Sequence, residues 1–176
     1  MKSLRAYYRS PIGTIEVAGT AAGVSSLRFV RGQAKDTGPP PEALQSVIGE
    51  LDEYFRGARR DFSTGLALGG TEFQRRVWNE LQKIPFGRTA SYGRIAKALG
   101  KSRAARAVGR ANHLNPVSII IPCHRVIGRD GGLVGYGGGL WRKRWLLAHE
   151  GSLDPGEKGA RRSSRRRNLR GGQRDE

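Results

Sequence analysis

The sequence predicts an α+β fold: a small N-terminal β-sheet and helix domain over residues 1–65, followed by a mostly helical C-terminal domain over 70–153. Three observations lead there. Short β-prone runs parted by turn signals fill the first thirty residues, apolar residues recur at three and four from residue 42 onward, and a small, flexible glycine-containing stretch at 65–70 separates the two units.

Taken in order, residues 4–8 are apolar and aromatic, Pro11-Ile12-Gly13 is a turn signal, and Thr14-Ile15-Glu16-Val17 alternates. Ala21-Ala22-Gly23 marks a second turn and 24–30 a third strand. A Gly- and Pro-rich loop ends at Pro41. Leu44, Val47, Ile48, Leu51 and Phe55 then share one face of a helix closing near Gly57. Thr71 with Gln74 forms a capping-box signal, and Phe73, Val77, Leu81 and Ile84 give the next helix its apolar side. Pro85-Phe86-Gly87 stops it. Ser91 is placed to cap a helix over 92–99 that Gly100 ends, and Ser102 to cap another over 103–113 that Asn115-Pro116 breaks. The β-branched run 117–121 reads as a strand, the glycine-rich 128–139 as a loop, and 141–149 as a last helix with Trp145, Leu146 and Leu147 apolar. Residues 155–176, mostly Arg, Ser and Gly, have almost nothing to bury and read as a basic disordered tail.

Composition narrows the function. The 176 residues carry a formal charge of +17, unevenly spread. Residues 1–70 hold nine basic and seven acidic groups, 71–154 fifteen and five, and 155–176 eight and three. An excess concentrated in the folded middle points to a polyanionic partner, nucleic acid before an acidic membrane surface. No apolar run approaches the ~20 residues of a membrane span, and no secretory signal opens the chain, so a cytoplasmic location is expected. The single cysteine excludes an internal disulfide and a cysteine-based zinc site; no metal or other cofactor is expected.

Two constellations carry chemistry. The helix pair over 92–113, joined at Gly100-Lys101-Ser102, has helix-turn-helix spacing, with Ala96 small enough for a close crossing. Arg103, Arg106 and Arg110 recur at three and four on its second helix. Ala104, Ala105, Ala107, Gly109 and Ala111 are small, so the backbone could approach a nucleic-acid groove. The second constellation is Ile121-Pro122-Cys123-His124-Arg125-Val126. A thiol is the nucleophile only as thiolate, and a free cysteine of pKa ~8.5 is mostly protonated at neutral pH. A histidine beside it and a cation such as Arg125 would favour the reactive form.

These stretches resemble the O6-alkylguanine-DNA alkyltransferase (methylated-DNA–protein-cysteine methyltransferase) family. The similarity runs through Phe73-Gln74-Arg75-Arg76-Val77-Trp78, Ile84-Pro85-Phe86-Gly87, Ser91-Tyr92-Gly93-Arg94-Ile95-Ala96, Ala105-Arg106-Ala107-Val108-Gly109, Asn115-Pro116, the Pro-Cys-His-Arg run, Gly135-Tyr136 and Leu146-Leu147-Ala148-His149-Glu150-Gly151. The resemblance implies a winged helix-turn-helix-like DNA-binding motif and a single-turnover DNA repair reaction. Cys123 would take the alkyl group from O6-alkylguanine, with O4-alkylthymine a second candidate substrate. It further implies that His124 removes the thiol proton through a water, Glu150 orients His124, Asn115 fixes the cysteine's turn and Tyr92 donates a proton toward the leaving guanine. Arg106 would fill the gap left by the flipped nucleotide, Arg103, Arg110, Ala105, Ala107 and Gly109 would lie along the DNA, and Val126, Tyr136 and Gly137 would line the base pocket. Gly137 stands where several relatives have serine. The partner the resemblance implies is double-stranded DNA, met by a monomer. Two alternatives stay open: a non-reacting alkylated-DNA binder of the alkyltransferase-like kind, which carries tryptophan in place of the cysteine, and a Cys-His hydrolase.

Overall fold

A computed structural model describes residues 3–30, 32 and 38–153; the basic tail at 155–176 lies outside them. Strands β1 (Leu4–Ser10), β2 (Gly13–Thr20) and β3 (Gly23–Phe29) form an antiparallel sheet in the order β1-β2-β3. Each connection is a two-residue turn, with Ser10 paired to Gly13 and Thr20 to Gly23. Gly23 is required: φ is 135°, and a Cβ there would lie 2.7 Å from the Gly65 carbonyl oxygen. Helix α1 (Glu42–Phe55) covers the sheet with Leu44, Val47 and Leu51 buried, and Gly57 in the left-handed region ends it.

The second half begins with α2 (Glu72–Gln82), where Thr71 and Gln74 form the expected capping box. Then come β4 (Ala90–Ser91), α3 (Tyr92–Ala98), α4 (Ala105–His113), a 3-10 turn (Cys123–Arg125), β5 (Val126–Ile127) and α5 (Leu140–His149). Ser91 caps α3 by accepting from the Arg94 N–H at 3.2 Å. β4 and β5 pair in parallel, so the entry to α3 lies beside the exit from the cysteine turn.

Three expectations need correction. Ser102 caps nothing: α4 starts at Ala105 after Ala104, which makes no side-chain cap, so Arg103 sits in the preceding turn and not on the helix. The run 117–121 is not a strand but a chain of tight turns around Ile119, whose φ is 72°. The stretch 65–70 is not simply flexible, because Leu66 bridges to Val24, with hydrogen bonds of 2.9 Å from the Val24 N–H to Gly65 and from the Ala67 N–H to Val24. A further bridge joins Leu27 to Val117: the Leu27 N–H donates to Pro116 and the Ser118 N–H to Leu27, both at 2.9 Å. The outer edge of β3 is therefore paired with the segment that leads to the cysteine, and one continuous core runs through both halves.

Candidate active site

The cysteine is presented by backbone geometry that the sequence alone does not suggest. With Ile119 left-handed, the Ile120 N–H bonds Ser118 O at 2.9 Å, Ile121 N–H bonds Val117 O at 3.0 Å, and Cys123 N–H bonds Ile121 O at 2.7 Å. A β-branched residue held there carries about 1–3 kcal/mol of strain. Two features offset it. Ile119 is fully buried, and Asn115 ties the turn together, its Nδ2 donating to Ile121 O at 2.8 Å and its Oδ1 accepting from the Val117 N–H at 3.0 Å.

Cys123 lies in the wall of a cavity of about 240 Å³. Its other walls are Asn112 of α4, Asn115 and Ser118 of the turn, the 135–138 loop with Tyr136 and Gly137, and Arg28 and Phe29 from the end of β3. That volume falls below the ~300 Å³ where pockets for drug-sized ligands begin, so it suits a single ring system. A larger cleft of about 850 Å³, lined by Lys83, Arg88 and Arg94 among others, does not include the cysteine.

Behind Cys123 stands a saturated carboxylate. Glu150 Oε1 accepts from Tyr54 Oη at 2.8 Å, from His124 Nε2 at 2.9 Å and from Arg125 Nη2 at 3.0 Å, and Oε2 accepts from Arg125 Nε at 2.8 Å. Burial would raise this acid, but the hydrogen bonds and charges of His124 and Arg125 win and hold it at about 2. Burial in turn pushes His124 downward, against the pull of Glu150, so its imidazole is neutral. A neutral ring whose Nε2–H donates to Glu150 keeps its lone pair on Nδ1, and Nδ1 is buried without a protein partner. That is the arrangement of a base awaiting a proton.

Burial pushes the Cys123 thiol up, while hydrogen bonding from Asn115, the charge of Lys143 and a hydrogen bond from Ser118 pull it down. Arg125 is not the cation that sequence reasoning assigned to the thiol. Its guanidinium is spent on Glu150 and on the Ile84 carbonyl at 2.6 Å. Lys143 takes that part: it is fully buried, its Nζ donates to Val126 O at 2.6 Å and Val134 O at 2.7 Å, and burial lowers its pKa to about 8. Lys143 shares the i, i+3, i+4, i+7 stripe of Leu146, Leu147 and Glu150, and that buried register was the signal available in the sequence.

Cys123, Asn115, Tyr136 and Gly137 meet at the cavity, with His124 and Glu150 behind. Tyr92 is half-buried on α3, its ring 3.7 Å from where a Gly109 side chain would begin; burial, then the charge of Cys123, raises its phenol, which stays a donor. Val126 does not line the cavity, and its carbonyl is occupied by Lys143. On α4, Arg106, Ala107 and Arg110 are exposed, Ala105 and Gly109 half-buried, and Val108 and Ala111 face the core; Arg103 is exposed just ahead of the helix. Sequence reasoning missed Tyr54, Asn112, Ser118, Lys143 and the β3 pair Arg28 and Phe29. Among the described residues no group of three His, Cys, Asp or Glu could hold a metal ion, and no helix is long and apolar enough to cross a membrane.

Comparison with known proteins gives concordant results. The family model described as 6-O-methylguanine DNA methyltransferase, DNA binding domain, matches residues 72–152, and that described as 6-O-methylguanine DNA methyltransferase, ribonuclease-like domain, matches 4–68. A methylated-DNA–protein-cysteine methyltransferase of Methanosarcina acetivorans is 46% identical over 152 residues, covering 84% of this chain and 97% of that protein. The crystal structure of the Mycobacterium tuberculosis O6-methylguanine methyltransferase superposes with a TM-score of 0.77 at 44% identity, over 89% of this chain and 97% of that one. A crystal structure of the M. tuberculosis protein in complex with DNA superposes at 0.76 and 47% identity, over 83% and 91%.

Proposed function

Because the chain belongs to the 6-O-methylguanine DNA methyltransferase family, we propose that Cys123 is the residue on which its DNA repair reaction ends. The protein is a methylated-DNA–protein-cysteine methyltransferase, and it binds DNA. One observation carries the assignment: a reaction that ends on a protein cysteine has a single candidate here, and that cysteine lines a base-sized cavity with a neutral, carboxylate-oriented histidine behind it.

In this reading residues 70–153 form the DNA-binding and acceptor domain, and 1–65 the sheet domain that braces it. Arg106, Ala107 and Arg110 of α4, with Arg103 ahead of it, meet the duplex; Ala105 and Gly109 keep the backbone close. Arg106 fills the space of the flipped nucleotide, since chemistry on a paired base requires its extrusion. The extruded O6-alkylguanine enters the cavity between Tyr136, Gly137 and the cysteine turn. The thiol proton passes through a water to His124 Nδ1, and Glu150 stabilises the imidazolium. The thiolate sulfur attacks the alkyl carbon, forming the S–C bond as the C–O6 bond breaks. Tyr92 donates to the departing guanine and is reprotonated from His124, so the thiol proton ends on the base. The thioether is not hydrolysed, and each molecule acts once. The protein works as a monomer.

Intact-protein mass after mixing with a duplex containing one O6-methylguanine tests this. A gain of one methylene unit, absent in Cys123→Ala, is expected. Binding without gain would leave an alkylated-DNA binder, and turnover of an ester would indicate a hydrolase.

A further inference from the structure

Arg142, in the first turn of α5, has no part in the reaction above, yet its guanidinium joins segments far apart in sequence. Its Nε donates to Ile12 O in the β1–β2 turn at 2.7 Å, and its Nη1 donates to Gly138 O in the cavity-lining loop at 2.8 Å. The rings of Phe29, at the end of β3, and of Trp141 have their centres 4.6 and 4.4 Å from its central carbon. The fit against the hairpin is close, since a Cβ on Gly13 would stand 2.9 Å from Nη2.

The loop needs such a hold. Gly135, Gly137, Gly138 and Gly139 have more backbone freedom to lose than any other residue type, and Tyr136 and Gly137 among them wall the cavity. A backbone hydrogen bond from the Gly139 N–H to Tyr136 O, at 2.9 Å, is supplemented by two side-chain anchors, both from α5. Lys143 Nζ holds Val134 O at 2.7 Å and Arg142 holds Gly138 O. Of the two, Arg142 is the one that also reaches the sheet. The loop lies tight on Phe29 as well: a Cβ on Gly138 would be 2.7 Å from Tyr136 Cε1 and 2.9 Å from Phe29 Cδ2. We propose that Arg142 is a positioning residue that fixes this wall of the cavity against the first hairpin, so that the N-terminal sheet sets where the extruded base stands relative to Cys123. The proposal rests on the assignment of Cys123 as alkyl acceptor. Misplacing reacting atoms by about 1 Å costs about a hundredfold in rate, whereas affinity for a duplex comes mainly from its phosphates. Loss of Arg142 should therefore slow transfer and spare binding.

The test follows methyl gain at Cys123 by intact mass, in single-turnover reactions over a range of concentrations of a duplex holding one O6-methylguanine. The final gain counts folded molecules, the plateau rate reports how the base is placed, and the half-saturating concentration reports DNA binding. Arg142→Met should reach full gain, lower the plateau rate about 10- to 100-fold and leave half-saturation within about threefold. Arg142→Lys keeps the charge but not the planar fork that spans two carbonyls; its plateau should fall between, and it carries the comparison should the methionine variant fail to fold. Gly138→Ala, which pushes the loop off Phe29, should also slow transfer, and combined with Arg142→Met it should cost less than the product of the two single losses. An unchanged plateau, a loss confined to the final gain or to half-saturation, or losses that multiply would each overturn the proposal. No methyl gain by the wild type would instead sink the assignment of Cys123, and the proposal with it.

Discussion

Replacing Lys143 with methionine separates the cation's effect on the thiol from its effect on the fold. Burial lowers Lys143 from 10.5 to about 8, so keeping it charged at neutral pH costs about 3 kcal/mol, at 1.36 kcal/mol per pKa unit. Methionine relieves that cost but strands the carbonyls of Val126 and Val134, at about 1–3 kcal/mol each. The two contributions nearly cancel, so Lys143→Met should melt within a few degrees of the wild type. Reactivity should not be spared. A cation near a thiol lowers its pKa by about 1–3 units. Because nucleophilicity rises with basicity at a slope of about 0.5, losing that cation slows the thiol about 3- to 30-fold below its pKa. The assay is methyl transfer from free O6-methylguanine as a function of pH. The wild-type rate should rise with pH and flatten near pH 8 as Lys143 loses its proton; the variant should show no such bend and lie to the alkaline side. Superimposable profiles would refute the coupling of Lys143 to Cys123.

Arg106→Ala should slow repair in duplex DNA far more than reaction with free base, on the proposal that this exposed arginine holds the duplex open; equal losses would remove it from that role. Glu150 has a folded pKa of about 2 against an ordinary 4.5, so its contribution is complete above pH 4.5 and is lost as pH falls towards 2. Acid titration of stability should show a drop of about 3 kcal/mol in that window. Glu150→Gln should lack that step and, leaving Arg125 buried without its counter-charge, lose about 3–5 kcal/mol at pH 7 in chemical denaturation. Gly23→Ala places a side chain at φ 135° and 2.7 Å from a carbonyl oxygen, and should lower stability by more than ~1 kcal/mol, visible as a reduced melting temperature.

Periodicity and turn chemistry sufficed for the helices and for the three-stranded sheet, because each is specified locally. The capping box at Thr71 and the cap at Ser91 are where residue type and spacing place them. The chemistry-bearing pair Cys123 and His124 stood out because the two are adjacent. What stayed hidden depends on contacts distant in sequence. Ile119 enters the left-handed region only because Asn115 and the edge of β3 hold the segment on either side, and nothing in an Ile-Ile-Ile run announces that. Arg125 looked like a partner for the thiol because it is near in sequence, whereas Glu150, 25 residues on, claims it. Ser102 looked like a cap, but the helix starts three residues later, beyond its reach.

The pairing of β3 with the segment before the cysteine also bears on how the chain folds. Two family models meet near residue 70, yet strand β3 hydrogen-bonds to β2 on one edge and to residues 65–67 and 116–118 on the other. Severing the chain there would leave an open strand edge on one fragment, a template for aggregation, and an unsupported turn on the other. Unfolding should therefore be a single cooperative event. Contacts between remote stretches of chain close late and slowly. The cysteine's turn should therefore form only together with the first strands, so that a chain not yet folded has the thiol but not the turn that presents it.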